Sequence, residues 1–443
     1  MLRSEFFNRR DDLKLLFLYL RKRNIPEDLP LSRLMVHSAV FPDQVYDDTR
    51  LRGTMSDLQE RIERYLMITA YESNTLQYQL EKVRMYRTRK LDKHYEFAQR
   101  KLDALLSKHP WRNADFFGVE QSSNVEKLAY ASSNRRSKDL DLQSVADGID
   151  QLFLIKKLRH ACTQLSHQAV HPIAYDFGLL EDLIHRIPEL QHYQVPAIAL
   201  YYHCYSFLSE ESDSNHFQQF KSLFTTHAVS FPLAERKDLY LFAINYCIRK
   251  HNTGKKRYTL EAWELYRFAL AEGLLLEDGQ LSRFTFSNIV GIGIKVKELR
   301  WVEEFIDKHY KSVTAKYRDS NLSLNRARLA FARKQFSAAL PYLQRVDRSD
   351  QLNNLICRSL LIKIFLETDA FEALYGQLDG LDQFLRRRDV SDFHRRNYGQ
   401  FTKFLRLYLG LADSDASGRS RLKAEVLESE GMSEQEWLLS LLN

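Results

Sequence analysis

Residues 322–346, LSLNRARLAFARKQFSAALPYLQRV, decide the fold of this chain. The stretch divides into two segments with helical periodicity, and Phe336 opens the second of them. Small residues stand where two such helices must approach closely. They are Ala327 and Ala330 in the first segment and Ala339 in the second. The stretch therefore predicts a pair of antiparallel α-helices with a close interface.

The aromatic residue that opens the second helix recurs along the chain. Trp301, Phe336 and Phe371 are spaced by 35 and 35 residues, and each begins a short amphipathic helix. Tyr258 precedes Trp301 by 43 residues, and Phe217 precedes Tyr258 by 41. A lone helix pair cannot bury its own apolar face, whereas stacked pairs share a continuous core. The spacing therefore predicts a series of helix pairs.

The unit at 322–346 resembles a tetratricopeptide (TPR) repeat, through the alanines and the phenylalanine quoted above. Its neighbours depart from the family pattern, since Lys295 and Glu304 stand where the family has apolar or small residues. The resemblance covers residues 195–390. It implies an all-α fold in which TPR-like antiparallel helix pairs form an α-solenoid, and the first helices of the pairs line a concave groove. Such grooves generally hold peptides, helices or other proteins. The whole chain is also similar to a group of bacterial proteins of unassigned role that join a helical front end to such an array.

Further helical regions are predicted around the array. Residues 1–110 form an N-terminal helical region, in which the periodicity predicts one long helix at about 75–108. We expect connecting helices over 111–194 and the TPR-like array over 195–412. Residues 413–443 are expected to form C-terminal helices that cap the apolar end of the array, as terminal repeats must.

Composition supports a globular, helix-rich chain. Hydrophobic residues make up 44% and charged residues 28% of the 443 residues, which excludes a disordered chain. Only 9 prolines and 15 glycines interrupt it, which favours helices. The apolar run Leu15–Leu20 is too short for a signal peptide, and no stretch approaches the roughly 18 apolar residues of a membrane span. We therefore expect a cytoplasmic protein without a membrane partner.

Asparagine recurs inside the first helices of the array, at Asn245, Asn288 and Asn325. Asparagine suits a helix interior poorly because its amide competes for backbone hydrogen bonds, so its repetition at one helical level indicates a role. The resemblance implies that these amides hold the backbone of a bound segment; an amide that bridges to the adjacent repeat is the alternative. Arg328 lies on nearly the same face as Asn325, and either contacts a bound carboxylate or is solvated.

Six cations in two clusters are candidates for anion binding. They are Lys82, Arg84, Arg87, Arg386, Arg387 and Arg388. Nucleic-acid binding needs several cations on one surface, with aromatic residues nearby for stacking. The charges between residues 82 and 93 point around the whole predicted helix, which favours a solvated helix instead. The formal net charge of +7, from 65 basic and 58 acidic residues, permits an anionic partner without requiring one.

Catalytic motifs are missing from the sequence. It contains no HExxH, GxSxG or GxGxxG motif and no glycine-rich stretch that would cradle a phosphate. The four cysteines lie far apart without CxxC spacing, so we expect buried thiols in a reducing compartment and neither metal nor cofactor. We therefore predict a non-enzymatic scaffold or adaptor that binds a protein or peptide in the concave groove. The alternative is a nucleic-acid-binding repeat protein that uses its basic faces.

Overall fold

The fold is almost entirely helical. The computed structural model describes residues 1, 4–22, 31–133, 140–169, 171, 173–209, 214–387, 390–412, 415–429 and 431–443. Over these ranges the chain forms 21 α-helices, short 3₁₀-helices and one β-hairpin, which confirms the prediction of an all-α protein. None of the helices in the described ranges combines the length and the hydropathy that crossing a bilayer requires.

The chain divides into two compact units, Met1–Lys156 and Lys157–Asn443. The described residues of the first unit form six helices and the beginning of a seventh. They are α1 (Asp11–Lys22), α2 (Arg33–Val40), α3 (Asp48–Ser73), α4 (Thr75–Thr88), α5 (Asp92–Lys108), α6 (Ala114–Ser133) and α7 (Leu142–Gln168). Capping side chains set two of the starts: Asp47 accepts the Arg50 amide at α3, and Asn74 accepts the Gln77 amide at α4.

The first three helices of this unit enclose a small apolar core. Its buried members are Leu13, Leu16, Val36, Val40, Phe41, Leu51 and Leu58. They follow the 3- and 4-residue spacing of amphipathic helices, so burial of one face of each helix holds α1, α2 and α3 together.

Two helices, α4 and α5, occupy the region 75–108, where the periodicity predicts a single long helix. The chain turns at Lys90, whose φ of 55° lies in the left-handed region. The Leu91 amide donates to the Tyr86 carbonyl at 3.0 Å, which closes the end of α4 in a Schellman-type turn. The two helices then pack against each other. Glycine is the usual signal for such a turn, and its absence here hides the break from periodicity.

The second unit contains the remaining helices and the hairpin. The α-helices are α8 (Leu179–Leu183), α9 (Pro196–Ser209), α10 (Ser214–His227), α11 (Leu233–Asn252), α12 (Arg257–Ala271), α13 (Arg283–Lys295), α14 (Leu299–His309), α15 (Ala315–Ala332), α16 (Phe336–Gln344), α17 (Gln351–Glu367), α18 (Phe371–Leu385), α19 (Asp392–Leu409), α20 (Ala416–Glu428) and α21 (Gln435–Leu441). The 3₁₀-helices are Ile184–Glu189, Gln191–Gln194, Ala228–Ser230 and Tyr310–Ser312.

Each aromatic residue of the predicted series lies in the first turn of a second helix. Phe217, Tyr258, Trp301, Phe336 and Phe371 stand at the beginnings of α10, α12, α14, α16 and α18. Trp301 stacks on Phe305, with ring centroids 5.4 Å apart. The aromatic spacing therefore marks the second helices correctly.

One turn geometry recurs between the helices of four successive pairs. Gly254, Lys297, Lys334 and Asp369 all have positive φ, between 54° and 83°. In each turn the next amide donates to the carbonyl five residues before it, at 2.9 to 3.1 Å. This is the Schellman pattern, and three of its four left-handed residues here carry a side chain.

A two-residue turn connects the short strands β1 (Leu276–Glu277) and β2 (Gln280–Leu281). The strands pair antiparallel, with Leu276 opposite Leu281. Asp278 and Gly279 both have positive φ, 49° and 76°, as a type I′ turn requires. The hairpin joins α12 to α13.

From α11 to α21, each helix packs on the next one along the chain, and α9 packs on α10. The first helices also contact each other, α9 with α11 and α15 with both α13 and α17. Ala327 and Ala339, predicted to permit close approach, are fully buried between α15, α16 and α17. A separate core joins α17 to α21 and includes Leu378, Phe401 and Leu438.

Candidate functional site

Asn325 is completely buried on α15. Its Nδ2 donates to Ser287 Oγ at 3.1 Å and to the Asn321 carbonyl at 2.8 Å. Its Oδ1 accepts a hydrogen bond from Arg328 Nη1 at 3.2 Å. Since Ser287 belongs to α13, the amide bridges to the preceding helix pair. Asn325 therefore positions Arg328 and holds two first helices together.

Arg328 lies flat against α13. Its Nη1 also donates to the Ser287 carbonyl at 2.9 Å. Gly291 makes room for this guanidinium, because a Cβ at that position would stand 2.4 Å from Arg328 Nη2. Burial lowers the pKa of Arg328, and the nearby Glu434 carboxylate opposes the shift. Within the described residues no carboxylate lies within 4 Å of this guanidinium.

An ion pair that sequence reasoning missed lies beside Arg328. Lys363 Nζ of α17 contacts Glu434 Oε2 at 2.7 Å, and Ser359 Oγ donates to Oε1 at 3.4 Å. The Lys363 side chain is 10% exposed and that of Glu434 is 27% exposed. Lys363 Nζ also lies 4.8 Å from the centre of the Phe331 ring. The ammonium is therefore held between a carboxylate and an aromatic face.

Neighbouring positive charges keep the Glu434 carboxyl ionised. Burial raises the pKa of this carboxyl, but Lys363, Arg328 and Lys295 together outweigh burial, so the pKa lies below its ordinary value. The residue also has a φ of 60°, in the left-handed region that disfavours residues with a Cβ. Glu434 is thus held ionised, on a backbone that few residues adopt.

Glu434 belongs to the last stretch of the chain, residues 431–443, which we call the C-terminal segment. The segment is anchored by apolar side chains, since Met432, Leu438 and Leu442 are buried in the core shared with α17–α20. Trp437 Nε1 donates to Glu367 Oε1 of α17 at 3.2 Å. The segment is therefore firmly packed, and the Glu434 side chain extends from it to Lys363 on α17.

Lys295 connects the C-terminal segment to α13. Its Nζ lies 3.5 Å from Glu436 Oε2, with both side chains nearly half exposed. The same ammonium contacts Nε2 of His251 on α11. We call Lys295, Arg328, Ser359, Lys363 and Glu434 the Glu434 site. Its three cations come one each from α13, α15 and α17.

The other two predicted asparagines lie apart from this site. Asn245 on α11 and Asn288 on α13 are exposed. The Asn288 side chain lies near the phenol of buried Tyr266, and burial raises the pKa of that phenol. The structure therefore joins Asn325 and Arg328 in one network, without Asn245 or Asn288.

The N-terminal cations have partners inside the first unit. Arg84 Nε and Arg87 Nε contact the two oxygens of Glu126 at 2.9 and 2.5 Å. Glu126 on α6 is only 5% exposed; burial raises its pKa, but the two guanidiniums more than compensate and lower it. Lys82 Nζ lies 5.6 Å from the centre of the Tyr78 ring. Two of these three charges are thus already matched by a carboxylate of the fold.

Arg386 and Arg387 are exposed at the end of α18, and Arg388 lies outside the described residues. The Arg387 guanidinium lies 5.3 Å from the centre of the Phe384 ring. Arg395 Nη2 donates to the Arg387 carbonyl at 3.1 Å, so a further cation satisfies the end of this helix. Here Arg386 and Arg387 face solvent.

A weak signal for the missed residues exists in the sequence. Lys363 interrupts the apolar run SLLIKIFLE of α17, where a lysine is buried only if it is paired. Its partner Glu434 is 71 positions away, in a segment with many polar residues. Local patterns therefore point to Lys363 alone.

Three comparisons with known proteins gave no match. Neither a protein-family model, a curated protein nor a solved structure is detectably similar to this chain. The TPR resemblance thus stays a prediction from the residues. In the part of the chain that the structure describes, no cluster of three or more His, Cys, Asp or Glu side chains is placed to hold a metal ion.

Proposed function

We propose that this chain is a non-enzymatic scaffold or adaptor that binds a peptide or protein segment along the first helices of its second unit. In this proposal the helix pairs stack as a TPR-like α-solenoid, and the first helices line its concave groove. The contacts of α9 with α11, and of α15 with α13 and α17, support it. First helices that pack in chain order, as α13, α15 and α17 do, present a continuous surface to one ligand.

The observation that carries the proposal is the C-terminal segment itself. It is a stretch of polypeptide whose acidic side chains contact α13 and α17, through Lys295–Glu436 and Lys363–Glu434. Trp437 adds a hydrogen bond to Glu367 on α17. The first helices thus offer charge, hydrogen bonds and an apolar anchor to a peptide chain, which is the chemistry of peptide recognition.

We place the protein in the cytoplasm. All four cysteines are buried free thiols, at Cys162, Cys204, Cys247 and Cys357. Burial raises the pKa of Cys357 to about 11, which keeps this thiol protonated and unreactive. Unpaired buried thiols of this kind are typical of a reducing compartment.

Selection of phage-displayed random peptides on the immobilised full chain tests the proposal. We expect enriched peptides whose affinity, measured by fluorescence anisotropy, falls at least about fivefold in Lys295→Ala, the loss of one charge contact. Arg300→Ala is the matched control, because this 93% exposed cation lies on α14, a second helix. Absence of enrichment, or equal binding to both variants, would refute binding along the first helices.

A nucleic-acid titration separates the proposal from its alternative. Labelled RNA and DNA are added to the full chain at about 50 and 200 mM salt, since phosphate contacts weaken steeply over that range. We expect no retardation at either concentration. Retardation at low salt that is lost at the higher concentration would favour the basic faces instead.

A further inference from the structure

We propose that Glu434 is an internal occupant of a carboxylate-binding site on the first helices, and that an acidic segment of the partner protein takes its place. The inference rests on the proposed function and gives the chemistry of its ligand. It also makes the C-terminal segment a competitor that weakens binding until Glu434 is displaced.

Charge complementarity is the first argument. Lys295, Arg328 and Lys363 bring three positive charges to one surface, and Glu434 and Glu436 bring two negative charges. Only Lys363 and Lys295 are in contact with a carboxylate. The site therefore accepts further negative charge.

Arg328 is the cation with unused capacity. It donates from Nη1 to the Ser287 carbonyl and to Asn325 Oδ1, both neutral acceptors. A guanidinium binds a carboxylate best through two parallel hydrogen bonds, so its remaining donors suit a carboxylate from outside. Asn325 and Gly291 hold the group in place before any ligand arrives.

The backbone of Glu434 is the second argument. A φ of 60° is uncommon for a residue with a Cβ, and the carboxylate of this residue contacts Lys363. Met432 and Leu438 on either side are buried and keep the segment in place. Exchange therefore requires only that the Glu434 side chain rotate away, and its exposed fraction of 27% shows that solvent reaches it.

The test uses the full chain and a fluorescein-labelled octapeptide of alternating glutamate and serine. The glutamine–serine octapeptide serves as the control probe. At about 50 mM salt we expect Glu434→Gln to bind the acidic probe at least about tenfold more tightly than the unmodified chain. Adding Arg328→Gln to that variant abolishes the gain. Glu425→Gln, which removes one exposed negative charge from α20, leaves the affinity unchanged.

A second variant covers the case in which Glu434→Gln folds poorly. Glu434→Gly removes the same carboxylate and suits the left-handed backbone, so we expect the same tightening from a well-folded chain. Thermal melting of each variant verifies the fold. The inference is overturned if neither variant binds the acidic probe more tightly than Glu425→Gln, or if the glutamine probe binds equally well.

The outcome can be told apart from failure of the proposed function. If phage selection yields peptides that depend on Lys295 but lack acidic residues and ignore Glu434→Gln, the first helices bind peptides and the carboxylate inference is wrong. If neither selected peptides nor the acidic probe bind any variant, both are wrong.

Discussion

The two units each hold a carboxylate between cations, and they use it differently. In the first unit Glu126 is almost fully buried, and both of its oxygens contact arginines of α4. In the second unit Glu434 is partly exposed, contacts one lysine and has Arg328 nearby without a direct ion pair. The first is a closed arrangement and the second an open one.

This difference teaches that a cluster of cations predicts a site for an outside anion only when the carboxylates of the fold that already bind those cations are known. Arg84 and Arg87 are the more prominent in the sequence, yet Glu126 already binds both. Arg328 is one of two arginines in the stretch NRARLAF, and its Nη1 donates to neutral acceptors instead of a carboxylate. A site for an outside anion is therefore expected in the second unit.

The largest effect is expected from Glu126→Gln. Two partly exposed guanidiniums lose the buried carboxylate that they share, so the free energy of unfolding should fall by about 2 kcal/mol. Urea denaturation of the full chain, followed by circular dichroism, measures it. The same change at Glu434 should cost only about 1 kcal/mol, because a glutamine there keeps one oxygen as an acceptor for Lys363 and its amide group can face the Ser359 hydroxyl. Equal losses would break the comparison between the closed and the open site.

A surface control accompanies this measurement. Glu96→Gln removes an exposed carboxylate from α5 and should change stability by less than about 0.5 kcal/mol. A loss at Glu96 as large as that at Glu126 would mean that net charge, and not the buried pair, accounts for the effect.

Lowering the pH should weaken the ion pairs of Glu126, with a smaller loss of stability than the loss expected from Glu126→Gln. Folding lowers the pKa of Glu126 below its unfolded value of about 4.3. Above the unfolded pKa, the ionised carboxylate therefore contributes its full stabilisation to the folded state. This contribution is lost as the pH falls through the lower pKa of the folded state. We expect the stability difference between the unmodified chain and Glu126→Gln to shrink between about pH 5 and pH 3. Urea titrations at each pH measure it; a constant difference would contradict the lowered pKa.

The smallest effect is expected from a substitution that displaces the Arg328 guanidinium. Gly291→Ala places a Cβ against its guanidinium, so the side chain must move, at a net cost of about 1 kcal/mol, and binding of the acidic probe should weaken. Gly376→Ala is the control, because a Cβ there meets nothing within 4 Å on exposed α18, and the change should stabilise by about 0.5–1 kcal/mol. Unchanged probe binding in Gly291→Ala would remove Arg328 from the site.

Hydrophobic periodicity predicted which stretches form helices more accurately than it predicted where those helices end. The aromatics Trp301, Phe336 and Phe371 begin α14, α16 and α18, because helix initiation and amphipathic spacing are local properties. The turn at Lys90 escaped prediction, since a left-handed lysine has no local signature. Tertiary packing of α4 on α5 supports that conformation.

The sequence by itself determined that this protein is all-α and built from helix pairs, because burial of an apolar face every 3.6 residues leaves a readable pattern. It also marked Asn325, together with Asn245 and Asn288, as an unusual residue for a helix interior. Only the tertiary structure decided which charges meet: Arg84 lies 42 positions from Glu126, and Lys363 lies 71 positions from Glu434. Electrostatic pairing depends on distance in space, and no local pattern records it.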